Sequence, residues 1–244
     1  MGDPVVHFEV NGQDGAALAK FYDELFGWKS TEFQGGYFTV DTHAGGGING
    51  GIGTTQDGGP GFVTFYVAAP DLQAALDKAE SLGGSTAVPS VEMEMVTFAL
   101  LSDPQGNRVG LVAPGPGDAP PVSQGDGRAV SWWEILGPNP GQLVDFYTEL
   151  FGWRVTSSTS GDFEYHQIDT DSGGSGIQGA IGGTPDGLPH VNVYADVDDL
   201  QKYCERAESQ GGTVVMQPMK VAEDTEIAMF LDPQGNAFGI FKGM

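Results

Sequence analysis

One stretch of this chain is spelled twice: Phe21-Tyr22-Asp23-Glu24-Leu25-Phe26-Gly27-Trp28, and again Phe146-Tyr147-Thr148-Glu149-Leu150-Phe151-Gly152-Trp153. The echo continues in Ile48-Asn49-Gly50-Gly51-Ile52-Gly53 against Ile177-Gln178-Gly179-Ala180-Ile181-Gly182. It ends with Asp103-Pro104-Gln105-Gly106-Asn107 against Asp232-Pro233-Gln234-Gly235-Asn236. The copies stand 125 residues apart at the first motif and 129 at the last, so only a few loop residues were inserted. A self-similar chain uses one fold more than once, and that constraint precedes every other. It also lets each functional position be read in two versions.

Pro114-Gly115-Pro116-Gly117-Asp118-Ala119-Pro120-Pro121-Val122-Ser123-Gln124-Gly125-Asp126-Gly127 reads as a linker, because its prolines and glycines oppose regular structure. Domains are therefore expected at 1–114 and 128–244, joined at 115–127. A chain of 244 residues has the length for two domains of about 100–150 residues, each with its own core.

In the first copy Val5–Val10 reads as a strand. Leu18, Phe21, Tyr22 and Leu25 then recur at helical spacing, with Gly27 as the stop. Strands are expected at Trp28–Phe33, at Tyr37–Asp41 and near Ile48–Thr54. After Gly58-Gly59-Pro60-Gly61 the pattern restarts with a strand at Phe62–Val67. A helix at Asp71–Leu82 follows, with Leu72, Ala75, Leu76 and Ala79 on one face and Gly83-Gly84 at its end. Strands near Thr86–Val88, Met95–Leu101 and Asn107–Val112 complete the domain. The order β-α-β-β-β thus occurs twice per domain and four times per chain. This predicts an α+β fold of four βαβββ units, with curved, cup-like mixed sheets and helices outside. The mouths of such curved sheets are preferred sites for small molecules.

The formal charge of −23, from 33 acidic against 10 basic residues, argues against nucleic acid or an anionic membrane as partner. It reads instead as solubility and self-repulsion. No apolar run approaches the ~20 residues of a membrane span. The start, Met1-Gly2-Asp3-Pro4, lacks the basic and apolar stretches of a secretory signal. A single cysteine makes no internal disulfide, which suits the cytoplasm. Cys204 shares a helical face with Leu200, Tyr203 and Ala207 and reads as core. The expected partner is a small-molecule ligand, and the expected state a monomer or homodimer.

The motifs, in this order and repeated, resemble the vicinal oxygen chelate superfamily. That superfamily contains glyoxalase I, extradiol dioxygenases, fosfomycin-resistance proteins and bleomycin-binding proteins. The resemblance rests on the strand before Phe-Tyr-x-x-Leu-Phe-Gly-Trp, the Asp-Leu-Gln and Asp-Asp-Leu-Gln helix starts, and both Asp-Pro-Gln-Gly-Asn turns. It covers nearly the whole chain and is nearest to tandem, glyoxalase-like members. Fold alone does not set the reaction.

The resemblance implies metal ligands at six positions. Histidine is typical on the first strand, 14 residues before the Phe of Phe-Tyr, which gives His7 and Trp132. The next ligand opens the strand before the second helix, at Phe62 and His190. A glutamate seven residues after the Asp of the turn falls on Gly110 and Gly239. Four of the six depart from the pattern, so the resemblance implies a degenerate metal site. In it His7 and His190 hold one divalent ion (Zn, Ni, Mn or Fe).

Strand alternation puts residues i and i+2 on one face, so Glu9 accompanies His7 and Glu134 accompanies Trp132. A carboxylate among aromatics has a raised pKa and acts as a general base in proton abstraction. Glu9 is alternatively an oxygen ligand beside His7, and the structural alternative is a carboxylate bonded to nearby backbone. Asn192 and Tyr194 continue the row of His190, as Thr64 and Tyr66 continue that of Phe62. Trp132, Phe62, Asn192, Tyr194 and Tyr66 are thus candidate walls for a planar or amphipathic ligand, although a core would use the same types.

Gly45-Gly46-Gly47-Ile48-Asn49-Gly50 and Gly174-Ser175-Gly176-Ile177-Gln178-Gly179 match G-x-G-x-x-G formally. Neither leads into helical periodicity, so no nucleotide cofactor is expected. The Asp-Pro-Gln-Gly-Asn turns read as hairpins that set register. His43 and His166 read as surface, and no Ser-His-Asp, Cys-His or Walker spacing is present. Two readings follow. One is a metal-dependent lyase, isomerase or dioxygenase of the glyoxalase type. The other is a metal-free protein that sequesters a small molecule.

Overall fold

The computed structural model describes residues 1–55, 58–93, 96–113, 121–159, 164–184 and 187–243. The first repeat runs β1 (Val5–Gly12), α1 (Gly15–Phe26), β2 (Lys29–Gln34), β3 (Tyr37–Asp41), β4 (Asn49–Thr54), β5 (Phe62–Ala68), α2 (Leu72–Ser81), β6 (Ser85–Glu92), β7 (Thr97–Ser102) and β8 (Arg108–Val112). The second runs β9 (Val130–Gly137), α3 (Pro140–Phe151), β10 (Arg154–Thr159), β11 (Tyr165–Asp169), β12 (Gln178–Gly183), β13 (His190–Asp196), α4 (Leu200–Ser209), β14 (Thr213–Lys220), β15 (Glu226–Leu231) and β16 (Ala237–Lys242). The β-α-β-β-β order therefore occurs four times, as its sequence pattern requires. The strands form two open, mixed, eight-stranded sheets, in the orders β2-β3-β4-β1-β5-β8-β7-β6 and β10-β11-β12-β9-β13-β16-β15-β14.

Local chemistry sets the element ends. Asp14 caps α1 by accepting from Ala17 N at 2.9 Å, and Gly27 ends it in the left-handed region at φ 75°. Leu18, Phe21, Tyr22 and Leu25 are all buried, as their spacing predicts. Asp71 lies outside α2 and caps it, accepting from Ala74 N at 3.0 Å. Strand β6 is longer than expected and passes through Pro89. It is the last strand of its sheet, the position at which a strand tolerates proline. Met95, where a strand start was expected, lies outside the described residues, as do 114–120 of the expected linker. Residues 121–127 carry neither helix nor strand. Cys204 is buried, as expected of core.

Packing gathers the chain into two compact units, each drawing on both repeats. The first comprises Met1–Val6, Thr64–Pro121 and Trp132–Val191; the second comprises His7–Val63, Val122–Ser131 and Asn192–Met244. Within each unit the repeated motifs meet as two halves of one latch. In the second unit Tyr22 donates to Asp232 Oδ2 at 3.1 Å, and Gln234 bonds both N and O of the capping Asp14. In the first, Tyr147 donates to Asp103 Oδ2 at 3.0 Å, and Gln105 bonds both N and O of the capping Asn139. Each turn aspartate also accepts two backbone N–H groups and an asparagine amide, which satisfies it while buried. The turns thus set register, as expected, and anchor the helix of the other repeat as well. Around the latches lie aromatic cores: Tyr22, Phe26, Trp28 and Phe238 in the second unit, and Trp133, Tyr147, Phe151 and Trp153 in the first.

Candidate functional site

In the second unit His7 and Glu9 project from the same side of β1, and Tyr37 reaches them from β3. Strand β4 lies between, and its residue opposite Glu9 is Gly51. A Cβ at Gly51 would fall on the Tyr37 hydroxyl, so the glycine is what lets the ring cross. Tyr37 OH lies 3.1 Å from His7 Nε2 and donates to Glu9 Oε2 at 3.5 Å. Asn11 Nδ2 donates to the other carboxylate oxygen at 2.7 Å. Burial and the adjacent Glu9 charge push the Tyr37 phenol far up, so its hydroxyl stays a donor. Burial lowers the His7 imidazole to about 4, which leaves it neutral at ordinary pH.

The first unit repeats the arrangement with one substitution. Glu134 on β9 is buried, and Tyr165 from β11 donates to its Oε1 at 2.7 Å. The Trp132 side chain hydrogen bonds the same tyrosine and occupies the place of His7. Burial and the Glu134 charge raise the Tyr165 phenol as well. Each copy therefore builds a trio of ring nitrogen, phenol and carboxylate. The tyrosines were absent from the expected site residues. Their signal was present, since Tyr37 and Tyr165 stand 128 residues apart, the spacing shared by the neighbouring repeat positions.

The six positions at which the resemblance implies ligands divide evenly. The second unit holds His7, Phe62 and Gly239; the first holds Trp132, His190 and Gly110. Each has one imidazole, one aromatic ring and one glycine. The glycines have a physical cause, because Tyr66 pairs with Gly110 and Tyr194 with Gly239, and each ring lies flat on the bare backbone. A carboxylate there would displace the ring. A hard divalent ion needs several N or O ligands, and neither unit assembles them from these positions. Among the described residues no group of three or more His, Cys, Asp or Glu side chains is arranged so that it could hold a metal ion. The donor set within each unit does not fit a multidentate metal centre.

His190 donates from Nδ1 to the Leu188 carbonyl at 3.0 Å in that tautomer, which leaves Nε2 an acceptor. Asn192 is 1% exposed and among the described residues neither end of its amide has a hydrogen-bond partner, whereas its counterpart Thr64 donates to Arg108 O at 2.8 Å. His43 is not a free surface group: it bonds Ser123 and Lys29. His166 sits between Ser158 and Glu164, each 2.8 Å from a ring nitrogen, an order that spacing alone did not reveal. That trio lies on the β10–β11 hairpin, and the first copy builds the same hairpin with Gly36 and Phe38 in place of Glu164 and His166. The two glycine runs lead into β4 and β12, which are strands.

Family comparison follows the repeats. Residues 130–240 match the model described as the Glyoxalase/Bleomycin resistance protein/Dioxygenase superfamily, and residues 7–112 match the Glyoxalase-like domain. The chain belongs to the vicinal oxygen chelate superfamily. It is 26% identical to "Putative glyoxylase CFP32" of Mycobacterium tuberculosis, over 96% of this chain and 92% of that one. It is 32% identical to "Anthracycline biosynthesis protein DnrV" of Streptomyces peucetius, over 47% of this chain and 46% of that one. In fold it is similar to the 2,3-dioxygenase LapB of Pseudomonas sp. KL28, with a TM-score of 0.72, 16% identity and coverage of 100% and 93%. It is likewise similar to the Mn(II)-bound glyoxalase of Novosphingobium aromaticivorans, with a TM-score of 0.70, 17% identity and coverage of 98% and 83%. Among the described residues no helix is long and apolar enough to cross a membrane.

Proposed function

We propose that this member of the superfamily binds a small oxygenated molecule at Tyr37–Glu9 and Tyr165–Glu134, and that the glutamates transfer a proton on it. The observation that carries the reading is the recurrence of one pair, phenol donating to carboxylate, at the same place in both copies. A protonated phenol beside a carboxylate offers a donor to a carbonyl oxygen and a base to the neighbouring carbon. The carboxylate takes the C–H proton, the phenol turns its one O–H from the carboxylate to the enolate oxygen that forms, and return of the proton completes the turnover. A general base so placed contributes roughly 10²–10⁴-fold to the rate. The relatives named for glyoxylase, dioxygenase and anthracycline biosynthesis are consistent with a substrate bearing neighbouring oxygens. In this reading the tandem domains span 1–114 and 128–244, joined at 115–127.

A second reading keeps His7 or His190 as a ligand to a divalent ion. It is favoured by the His190 tautomer, whose Nδ1 is held by a carbonyl while Nε2 keeps its lone pair, a common arrangement around metal-bound imidazoles. The proton-transfer reading is tested by incorporation of solvent deuterium into hydroxyacetone, followed by proton NMR. The proposal expects catalysed exchange that falls about 100-fold or more in a Glu9→Gln/Glu134→Gln double variant. Exchange unaffected by that variant rules the proposal out. Saturable binding of hydroxyacetone without exchange supports the sequestration reading instead.

A further inference from the structure

The β10–β11 hairpin of the first unit holds a second set of reactive side chains. Alternation along β11 sends Tyr165 to the face of Glu134, and Glu164 and His166 to the opposite one. Ser158 on β10 is paired directly with His166 and shares that opposite face. Ser158 Oγ lies 2.8 Å from His166 Nδ1, and Glu164 Oε1 lies 2.8 Å from Nε2. An ionised carboxylate only accepts hydrogen bonds, so Nε2 carries the ring proton. In the neutral imidazole Nδ1 is then the acceptor, and the Ser158 hydroxyl donates to it. The ring is thus placed to take the serine proton, while Glu164 fixes the tautomer and faces the cation that forms. The two nitrogens exchange the roles they have in the chymotrypsin-type triad, but the polarity of the relay is the same.

Contact between serine and histidine does not by itself give this polarity. In the second unit His43 Nδ1 meets Ser123 Oγ, but its Nε2 faces Lys29 Nζ at 3.0 Å. An ammonium only donates, so Nε2 of His43 accepts and Nδ1 carries the proton. Ser123 therefore receives a hydrogen bond from the ring, and its own hydroxyl bonds Asp41. On the β10–β11 hairpin Ser158 is exposed, and so open to a substrate. Strand β10 is the last of its sheet, and its outer edge presents backbone N–H groups, the donors that stabilise an oxyanion. Val155, 39% exposed and paired with Ile168 on the same face, adds apolar surface. The fold does not require the relay, since the first copy has Gly36 and Phe38 in place of Glu164 and His166.

We propose that Ser158 is a nucleophile with His166 as its base and Glu164 as a positioning residue, and that this face hydrolyses small aryl esters. Oγ bonds to the ester carbonyl carbon as its proton passes to Nδ1. The C–O bond to the leaving phenol breaks, and the phenol oxygen takes that proton. Water then attacks the acyl-serine and gives a proton to Nδ1; the carboxylic acid leaves, and the proton returns to Oγ. The site lies across the sheet from Tyr165 and Glu134 and does not rest on the proton transfer assigned to them.

The test uses the whole chain in two measurements: hydrolysis of p-nitrophenyl acetate, and peptide mass spectrometry after treatment with diisopropyl fluorophosphate. Hydrolysis above the buffer rate is expected, and the fluorophosphate should block it while phosphorylating Ser158. Ser158→Ala and His166→Phe, the latter installing the first copy's residue, should each lower kcat/KM about 100-fold or more. Ser123→Ala should keep the wild-type rate. Glu164→Gln should lower kcat with KM unchanged, and Glu164→Asp should restore part of it, a rescue that a purely structural role would not give. An unlabelled Ser158, equal labelling of Ser123 and Ser158, or a wild-type rate in Ser158→Ala overturns the proposal. A wild-type kcat in Glu164→Gln overturns the role of Glu164.

Discussion

Burial holds the His7 imidazole at about 4 against an ordinary 6.5, so the unfolded chain takes up the proton first. Stability is therefore full above the unfolded value and falls as the pH drops from 6.5 towards 4. The loss attributable to this group is at most about 3 kcal/mol. Urea midpoints measured at pH 7, 5 and 4 should decline, and His7→Gln should flatten that limb; an equal decline in the variant would remove His7 as the cause. Gly51→Ala belongs to the same scale. A methyl there meets the Tyr37 hydroxyl, so the ring must leave His7 and Glu9, at a cost of about 1–3 kcal/mol. An NMR titration should show the His7 pKa moving back up, whereas an unshifted imidazole would mean the ring had stayed. Period-two alternation was enough to place Glu9 beside His7 and Glu134 beside Trp132. Tyr37 could not be added that way, because its approach depends on how β3 registers across β4, a non-local property. The copies then agree on the phenol and the carboxylate and differ in the ring nitrogen.

Among the elements, helices were legible because a long run of spacing specifies each one, and Gly27 marks the end of α1. Edge strand β6 was underread, because Pro89 is a breaker in an interior strand and harmless on an edge. The repeated motifs were legible as repeats but not as partners. Tyr22 meets Asp232 and Tyr147 meets Asp103, and no local pattern says which tyrosine takes which turn. Removing one hydroxyl leaves a buried carboxylate with one donor fewer. Tyr22→Phe and Tyr147→Phe should each cost about 1–2 kcal/mol in chemical denaturation, nearly equally in the two copies. A neutral result in both would show the latches to be incidental. The glycines under Tyr66 and Tyr194 make the complementary case. Gly239→Ala should destabilise by about 1–3 kcal/mol, and Tyr194→Ala in the same chain should recover part of that loss. Strictly additive costs would mean that the ring and the glycine do not interact.

At the scale of the molecule, the repeat gave the architecture and the superfamily, while packing redistributed the repeats into two units of mixed origin. That exchange was illegible because each repeat is locally self-consistent and the choice of partner is made only on folding. The charge of −23 also acts at this scale. Self-repulsion is screened within about 8–10 Å at 0.1–0.15 M salt, so the melting temperature should rise between low and moderate NaCl. A flat response would mean the acidic surface is already neutral in its effect on stability. The central claim is that the site in each copy works through a phenol and a carboxylate rather than through a chelated ion. Its most direct test is the rate of deuterium exchange into hydroxyacetone by one untagged sample, before and after exhaustive treatment with EDTA. The account predicts catalysed exchange at the same rate in both; exchange that vanishes with the chelator and returns with added Zn, Ni, Mn or Fe would contradict it.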